Sequence, residues 1–416
     1  MNSARGLREW LERLERLHPR EIELGLERVG EVWRRLGPAQ VPFVTVTVGG
    51  TNGKGSVVRL MESVLLAAGR RVGAYTSPHL LRYNERIRIG GTEVPDDALC
   101  AAFERVESAR GETSLTYFEF GTLAALDLFV RAGVEVAVLE VGLGGRLDAV
   151  NLVEPDVAVV TSVDIDHTDW LGETREAIGR EKAGIFRAGR PAVCGDPEPP
   201  ASLLAHARAT GARLYRAGAH FRFRETGRDW SWNAGEIQLT GLPRPRLELQ
   251  NAATALMALA CLPERVVVSE EAVRQGLTDT SLPGRFQVID GEVPVILDVA
   301  HNPAAATRLA ERLAATDCDG RTLAVVAMLA DKDGCGTLGA LTDRIDAWFP
   351  AGLEGARGAP ASRLEDCLST LGAEVSGGHP HVADALDAAL ADARPGDRVL
   401  VFGSFRTVAE AMERIL

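Results

Sequence analysis

The amino-acid sequence predicts an α/β fold in two domains, and three observations carry that prediction. Continuous Val-rich runs alternate with helical ones, as a parallel sheet covered on both faces and joined by helical crossovers requires. A glycine-rich turn follows the first of these runs. A second series of strand and helix patterns begins after Pro283-Gly284, which divides the chain into residues 1–282 and 283–416.

The elements follow in order. Met1 to Glu15 carries Arg5, Arg8, Glu9, Glu12, Arg13 and Glu15, so it lacks the apolar core of a signal peptide and reads as an amphipathic helix. Phe43 to Val48 is a strand, and Val57 to Ala68, apolar at 57, 60, 61, 64, 65 and 68, a helix. Val72 to Thr76, Val134 to Val141 and Val157 to Val163 read as strands, and Glu173 to Ile185 as a helix. Residues 196–248 combine proline clusters, Arg-rich turns and the aromatics Phe221, Phe223, Trp230 and Trp232, which predicts an irregular β-rich insertion. Past the boundary come strands at Val293 to Val299, Thr322 to Leu329 and Arg398 to Phe402. Helices are expected at Pro303 to Ala314, Thr337 to Trp348 and Thr407 to Ile415.

Composition narrows the function. The 416 residues are 46% hydrophobic and 25% charged, enough for two buried cores. Lys and Arg number 46 against 58 Asp and Glu, a net charge of -12 that offers no general attraction to nucleic acid or an anionic membrane. Small-molecule chemistry is favoured. Residues 283–416 hold 12 basic and 20 acidic side chains, -8, leaving -4 for the larger domain, as suits the one that binds phosphate. No apolar run approaches the roughly 20 residues of a membrane span. The six cysteines include no Cys-x-x-Cys pair, so reduced cytoplasmic thiols and no zinc site are expected; a monomer is also expected.

The first strand runs into Gly49-Gly50-Thr51-Asn52-Gly53-Lys54-Gly55-Ser56 and then a helix. Glycines let the backbone turn so that its N–H groups converge on phosphate oxygens, while the helix N-terminus and Lys54 add positive potential. The first glycine of the ordinary P-loop would fall at Val48, so the loop resembles the shorter Gly-Thr-Asn-Gly-Lys form of ATP-dependent amide ligases. A nucleoside triphosphate brings Mg2+, which prefers oxygen ligands. Glu140 ends a strand before Gly142-Leu143-Gly144-Gly145, where ligands of parallel sheets collect, or else it caps that turn. His167 follows the next strand in Asp164-Ile165-Asp166-His167, and Ser77 offers a hydroxyl. By sequence alone, Lys182 is a helix-surface cation beside Glu181.

Together these segments resemble the bifunctional dihydrofolate synthase and folylpolyglutamate synthase family, relatives of the Mur peptidoglycan ligases. The resemblance runs from about Ile22 to the C-terminus. It is carried by IELGLERV from Ile22, GTNGKGS from Gly50, TSPHL from Thr76, LTYFEFGTL from Leu115, LEVGLGGRLDA from Leu139, DHTDWLG from Asp166, GREKAGIF from Gly179, LPGRFQ from Leu282, DVAHNP from Asp298 and VFGSFRTV from Val401. It departs at Gly49, Val57, Arg406 and the residues before Asn251.

The resemblance implies a Mur-ligase-like P-loop domain with a parallel sheet, followed by a smaller Rossmann-like α/β domain. ATP would be held by Thr51, Asn52, Gly53, Lys54, Gly55 and Ser56, with Asn251, Arg285, Asp298 and His301 toward the nucleoside, in a cleft that closes between the domains. Mg2+ would take Ser77, Glu140, His167 and Lys182, the last carbamylated, which reverses the surface reading of that lysine. The pterin would meet Glu23, Leu24 and Gly25, then Thr116, Tyr117, Phe118 and Glu119, then Leu147, Asp148 and Ala149. The implied catalytic set is Lys54, Glu140, His167 and Lys182, acting on dihydropteroate or tetrahydrofolates with L-glutamate and ATP. A Mur-type UDP-sugar-peptide ligase and a non-catalytic ATP-binding switch are the alternatives.

Overall fold

The computed structural model describes residues 6–20, 22–355 and 357–416. Residues 1–5 of the expected N-terminal helix lie outside the described residues; the helix itself spans Leu7–Leu17 and buries Trp10 and Leu14. The chain forms two compact units, Met1–Ser281 and Leu282–Leu416.

The first unit is built on an eight-stranded sheet. Its strands are β1 (Val44–Gly49), β2 (Val72–Tyr75), β3 (Ile87–Ile89), β4 (Thr92–Glu93), β5 (Val136–Glu140), β6 (Val157–Val160), β7 (Pro191–Cys194) and β8 (Arg213–Arg216), ordered β4-β3-β2-β5-β1-β6-β7-β8. Only β3 and β4 run antiparallel to their neighbours. All six residues of β1 are buried, because helices cover both faces. The helix Lys54–Ala67 after β1 is correspondingly apolar nearly all round and buries Val57, Leu60, Met61 and Val64 among others. In the register, Val48 lies opposite Glu140 and Gly49 opposite Val160. The C-terminal ends of β2, β5, β1 and β6 therefore stand side by side, which gathers loops that are distant in sequence along one edge of the sheet.

The insertion expected at residues 196–248 is β-rich only in part. The helix Ala201–Thr210 occupies its start, and β8 belongs to the main sheet. A separate antiparallel sheet remains, of β9 (Phe221–Thr226), β10 (Asp229–Ala234) and β11 (Ile237–Pro243). Alternation along β10 buries Trp230 and Trp232, and the Trp232 indole N–H donates to the Ala253 carbonyl. The missed helix is short and rich in Ala, with little apolar periodicity to announce it.

The second unit carries β12 (Gln287–Ile289), β13 (Val295–Leu297), β14 (Thr322–Val326), β15 (Ala347–Pro350) and β16 (Arg398–Phe402), ordered β12-β13-β16-β14-β15 and parallel except for β12. The single helix expected at 337–348 does not form. A helix at Gly334–Gly339 is followed by a 3-10 turn at Thr342–Arg344 and by β15. Glycines at 334, 336 and 339 weaken the helix, and pairing of Trp348 and Phe349 with β14 in the core outweighs helical periodicity.

The cysteine expectation is also corrected, since Cys335 and Cys367 form a disulfide at a Cα separation of 5.2 Å. A gap of 32 residues concealed that pairing from a reading based on spacing. Among the described residues no helix is long and apolar enough to cross a membrane.

Candidate active site

The loop after β1 is clenched from within. Thr51 N–H donates to the Ser162 carbonyl at 2.8 Å, Asn52 N–H donates to Ser162 Oγ, and Thr161 Oγ1 donates to the Asn52 carbonyl at 2.6 Å. Two of the N–H groups expected to meet phosphate are thus turned inward. The first turn of the helix, at Lys54, Gly55 and Ser56, points its backbone N–H groups toward the helix N-terminus, where an anion is favoured. Gly53 adopts φ 85°, and a Cβ there would collide with the Asn251 side-chain amide, so this position needs glycine for both conformation and space. Asn251, carried by the helix Leu249–Ala260, is buried against the phosphate loop.

Below the loop two lysine amino groups share one acceptor. Lys54 Nζ donates to the Gly50 carbonyl at 3.1 Å and to that of Thr51 at 3.2 Å, and Lys182 Nζ donates to the same Gly50 carbonyl at 3.0 Å. Lys182 lies in the last turn of the helix Arg175–Ala183 and is only 4% exposed. Glu181, its neighbour, pairs instead with Arg146. The surface reading of Lys182 therefore fails. Burial, reinforced by the nearby Lys54 charge, pushes the Lys182 amine down to about 7.

Glu140 ends β5 at 5% exposure and accepts the Ser77 backbone N–H at 3.1 Å, which fastens the loop after β2 to the strand beside β1. The following glycine turn is held by Asp148, whose carboxylate accepts N–H groups from Leu143 and Val150. Burial raises Asp148 to about 7, against those N–H bonds and the Lys54 charge. His167 sits at φ 52° and ψ 43° and accepts the Trp170 and Leu171 N–H groups that open a one-turn helix. A left-handed non-glycine residue stores about 1 kcal/mol, and such strain gathers at functional positions. Its imidazole lies beside Asp166 and is 37% exposed.

No group of three or more His, Cys, Asp or Glu among the described residues is arranged to hold a metal. Mg2+ does not require one, because it keeps waters and binds through one or two carboxylates plus substrate phosphates. The buried Glu140 at the loop edge fits that demand.

A second cluster joins the three segments expected around the pterin. Gly25 N–H donates to the Leu147 carbonyl at 3.2 Å. Thr116 and Glu119 form a capping box at the start of the helix Tyr117–Arg131. Half-buried Phe118 lies against Gly142 and tilts toward Tyr75 at 5.8 Å between ring centroids, while Arg86 lies 5.3 Å from the Tyr117 ring. Sequence reasoning missed Arg28, whose guanidinium reaches both Glu23 and Glu119. The signal was its place within the Ile22 to Val29 segment.

In the second unit Asp298 follows β13 and accepts N–H groups from Phe286 at 2.8 Å and Ala300 at 2.9 Å. Burial raises its carboxyl above the usual carboxylate range, and the neighbouring Arg285 charge opposes that rise. Asn302, not Asp298, caps the helix Pro303–Ala314. Arg285 lies 5.2 Å from the Phe405 ring, and His301 Nδ1 donates to the Val299 carbonyl at 2.9 Å.

A glycine loop on a mostly parallel sheet, followed by a second α/β unit, is matched by the domains of a Mur-type ligase. Residues 48–218 match the Mur ligase middle domain, and residues 284–405 the Mur ligase glutamate ligase domain. The chain belongs to the dihydrofolate synthase/folylpolyglutamate synthase family. It is 52% identical to the dihydrofolate synthase/folylpolyglutamate synthase of Escherichia coli strain K12, over 99% of this chain and 96% of that one. The structure of E. coli FolC in complex with DHPP and ADP superposes with a TM-score of 0.94 at 52% identity, covering 99% of this chain and 98% of that one. A bifunctional folylpolyglutamate synthase/dihydrofolate synthase with Mn, AMPPNP and L-glutamate bound gives 0.90 at 51% identity and 98% of each chain.

Proposed function

We propose that the chain is an ATP-dependent ligase that adds L-glutamate to dihydropteroate, forming dihydrofolate, and to the γ-carboxylate of tetrahydrofolates, extending a polyglutamate. The observation that carries this reading is the pair Lys54 and Lys182 on one carbonyl beneath a phosphate loop, next to the strand end that carries Glu140.

A carboxylate resists amide formation because its charge repels an amine and oxide is a poor leaving group. The acceptor carboxylate attacks the γ-phosphorus of ATP, ADP departs, and an acyl phosphate forms. The glutamate amine then attacks the acyl carbon, loses a proton and expels phosphate. Lys54 and the N–H groups of Gly53 to Ser56 stabilise charge spreading over the transferring phosphoryl group. Asn251, Arg285, Asp298 and His301 bind the nucleoside side of ATP. Glu23, Leu24, Gly25, Thr116, Tyr117, Phe118, Glu119, Leu147, Asp148 and Ala149 form the pterin pocket. Ser77, Glu140, His167 and carbamylated Lys182 would hold Mg2+, which supplies charge neutralisation on the phosphates when bound. Carbamylation requires a neutral amine, and a lysine pushed down to about 7 is substantially neutral near that pH.

The test is ADP release with glutamate and either dihydropteroate or a tetrahydrofolate. Release that needs both acceptor and glutamate is expected. Release only with a UDP-sugar peptide, or ATP binding without turnover, would overturn the reading.

A further inference from the structure

Arg28, on the first turns of the helix Glu27–Leu36, makes three hydrogen bonds to two acidic residues from distant parts of the chain. Its Nη1 donates to Glu23 Oε1, while Nη2 donates to the Glu23 carbonyl and to Glu119 Oε1, both at 2.9 Å. Glu119 has no oxygen left over, because Oε2 accepts the Thr116 N–H at 2.8 Å. Its side chain is 4% exposed, so without Arg28 it would be a buried carboxylate with no cation. Glu23 differs. Among the described residues its Oε2 is approached at 3.6 Å by His18 and Arg20, and the side chain is 32% exposed, which leaves that oxygen room for a donor from a bound molecule. Arg28 Nε is itself buried without a partner among the described residues.

We propose that Arg28 is the positioning residue of the acceptor pocket: it locks the Glu23–Gly25 loop to the helix start that carries Tyr117 and Phe118, and so sets the affinity for the pteroyl group. The planar fork of arginine spans two carboxylates, which a lysine point charge does not. The inference rests on the reading of this cluster as the pterin pocket, and it assigns Arg28 no part in phosphoryl transfer. Its loss therefore weakens acceptor binding and leaves the chemical step in place.

The experiment compares steady-state kinetics of R28A, R28K and F118A with the unaltered enzyme, each first checked for folding by its melting curve. For R28A the KM for dihydropteroate rises about tenfold or more, while kcat and the KM for ATP change by less than about threefold. For R28K the acceptor KM falls between the two, and this variant carries the test should R28A fail to fold. An acceptor KM within about twofold of the unaltered enzyme, or an equal rise in the KM for ATP, would overturn the proposal. The F118A arm separates the two readings. A raised acceptor KM in F118A with none in the Arg28 variants refutes the role of Arg28 alone, whereas no rise in F118A refutes the pocket.

Discussion

Both units present site residues where parallel strands end, yet they equip those ends differently. In Met1–Ser281, β1 runs into a loop that brings the Lys54 and Lys182 amino groups onto the Gly50 carbonyl. In Leu282–Leu416, β13 runs into Asp298, a half-buried carboxyl held by two backbone N–H groups with Arg285 nearby. The Lys54 charge at a helix N-terminus suits an anion whose charge is moving, and a fixed acceptor suits recognition of a ligand that does not react. Under the proposed function the first unit would carry the chemistry and the second the grip on the nucleoside.

Substitutions should respect that division. Lys54→Ala should have the largest effect, lowering kcat by about 1000-fold in a steady-state ligase assay, because it removes a cation at the transferring phosphoryl group. A comparable loss in ATP affinity with kcat preserved would move Lys54 to the binding side. Lys182→Ala should lower kcat by about 100-fold, with the mass of the active enzyme showing the added CO2 on Lys182. Nearly intact activity, or an unmodified amine in active enzyme, would remove Lys182 from the metal set.

On the other side of the comparison, Asp298→Ala should raise the KM for ATP by about tenfold and change kcat little. A kcat collapse there would erase the distinction between the units.

A different kind of effect concerns pH. Asp148 titrates near 7 in the folded chain, well above the ordinary 3.8, so the fold binds its proton more tightly than the unfolded chain does. Its contribution to stability is thus full below about 4 and declines as pH rises to about 7, by at most about 4 kcal/mol. Melting curves of Asp148→Asn should show a flatter slope across that window, and an unchanged slope would contradict the assignment.

Much of this was readable in the sequence, for physical reasons. The strand Phe43 to Val48 and the glycine turn after it announce themselves because a doubly covered strand must be apolar throughout and a phosphate turn needs glycine. Lys182 was not readable from local pattern, since burial is a tertiary fact. Its helix position beside Glu181 looks like a surface pair until β1 and its loop are placed beneath it. Arg28 was hidden in the same way, because its partner Glu119 lies 91 residues on. The strand Ala347–Pro350 was masked by helical periodicity, and the Cys335–Cys367 bond by sequence distance.

The most direct test follows oxygen. Dihydropteroate labelled with 18O in its carboxylate, turned over with ATP and glutamate, should deliver one labelled oxygen to each inorganic phosphate released, because the carboxylate oxygen leaves with the phosphoryl group it attacked. Phosphate free of label, with the label retained in the pteroyl product or lost to water, would contradict transfer of the γ-phosphoryl group to the acceptor.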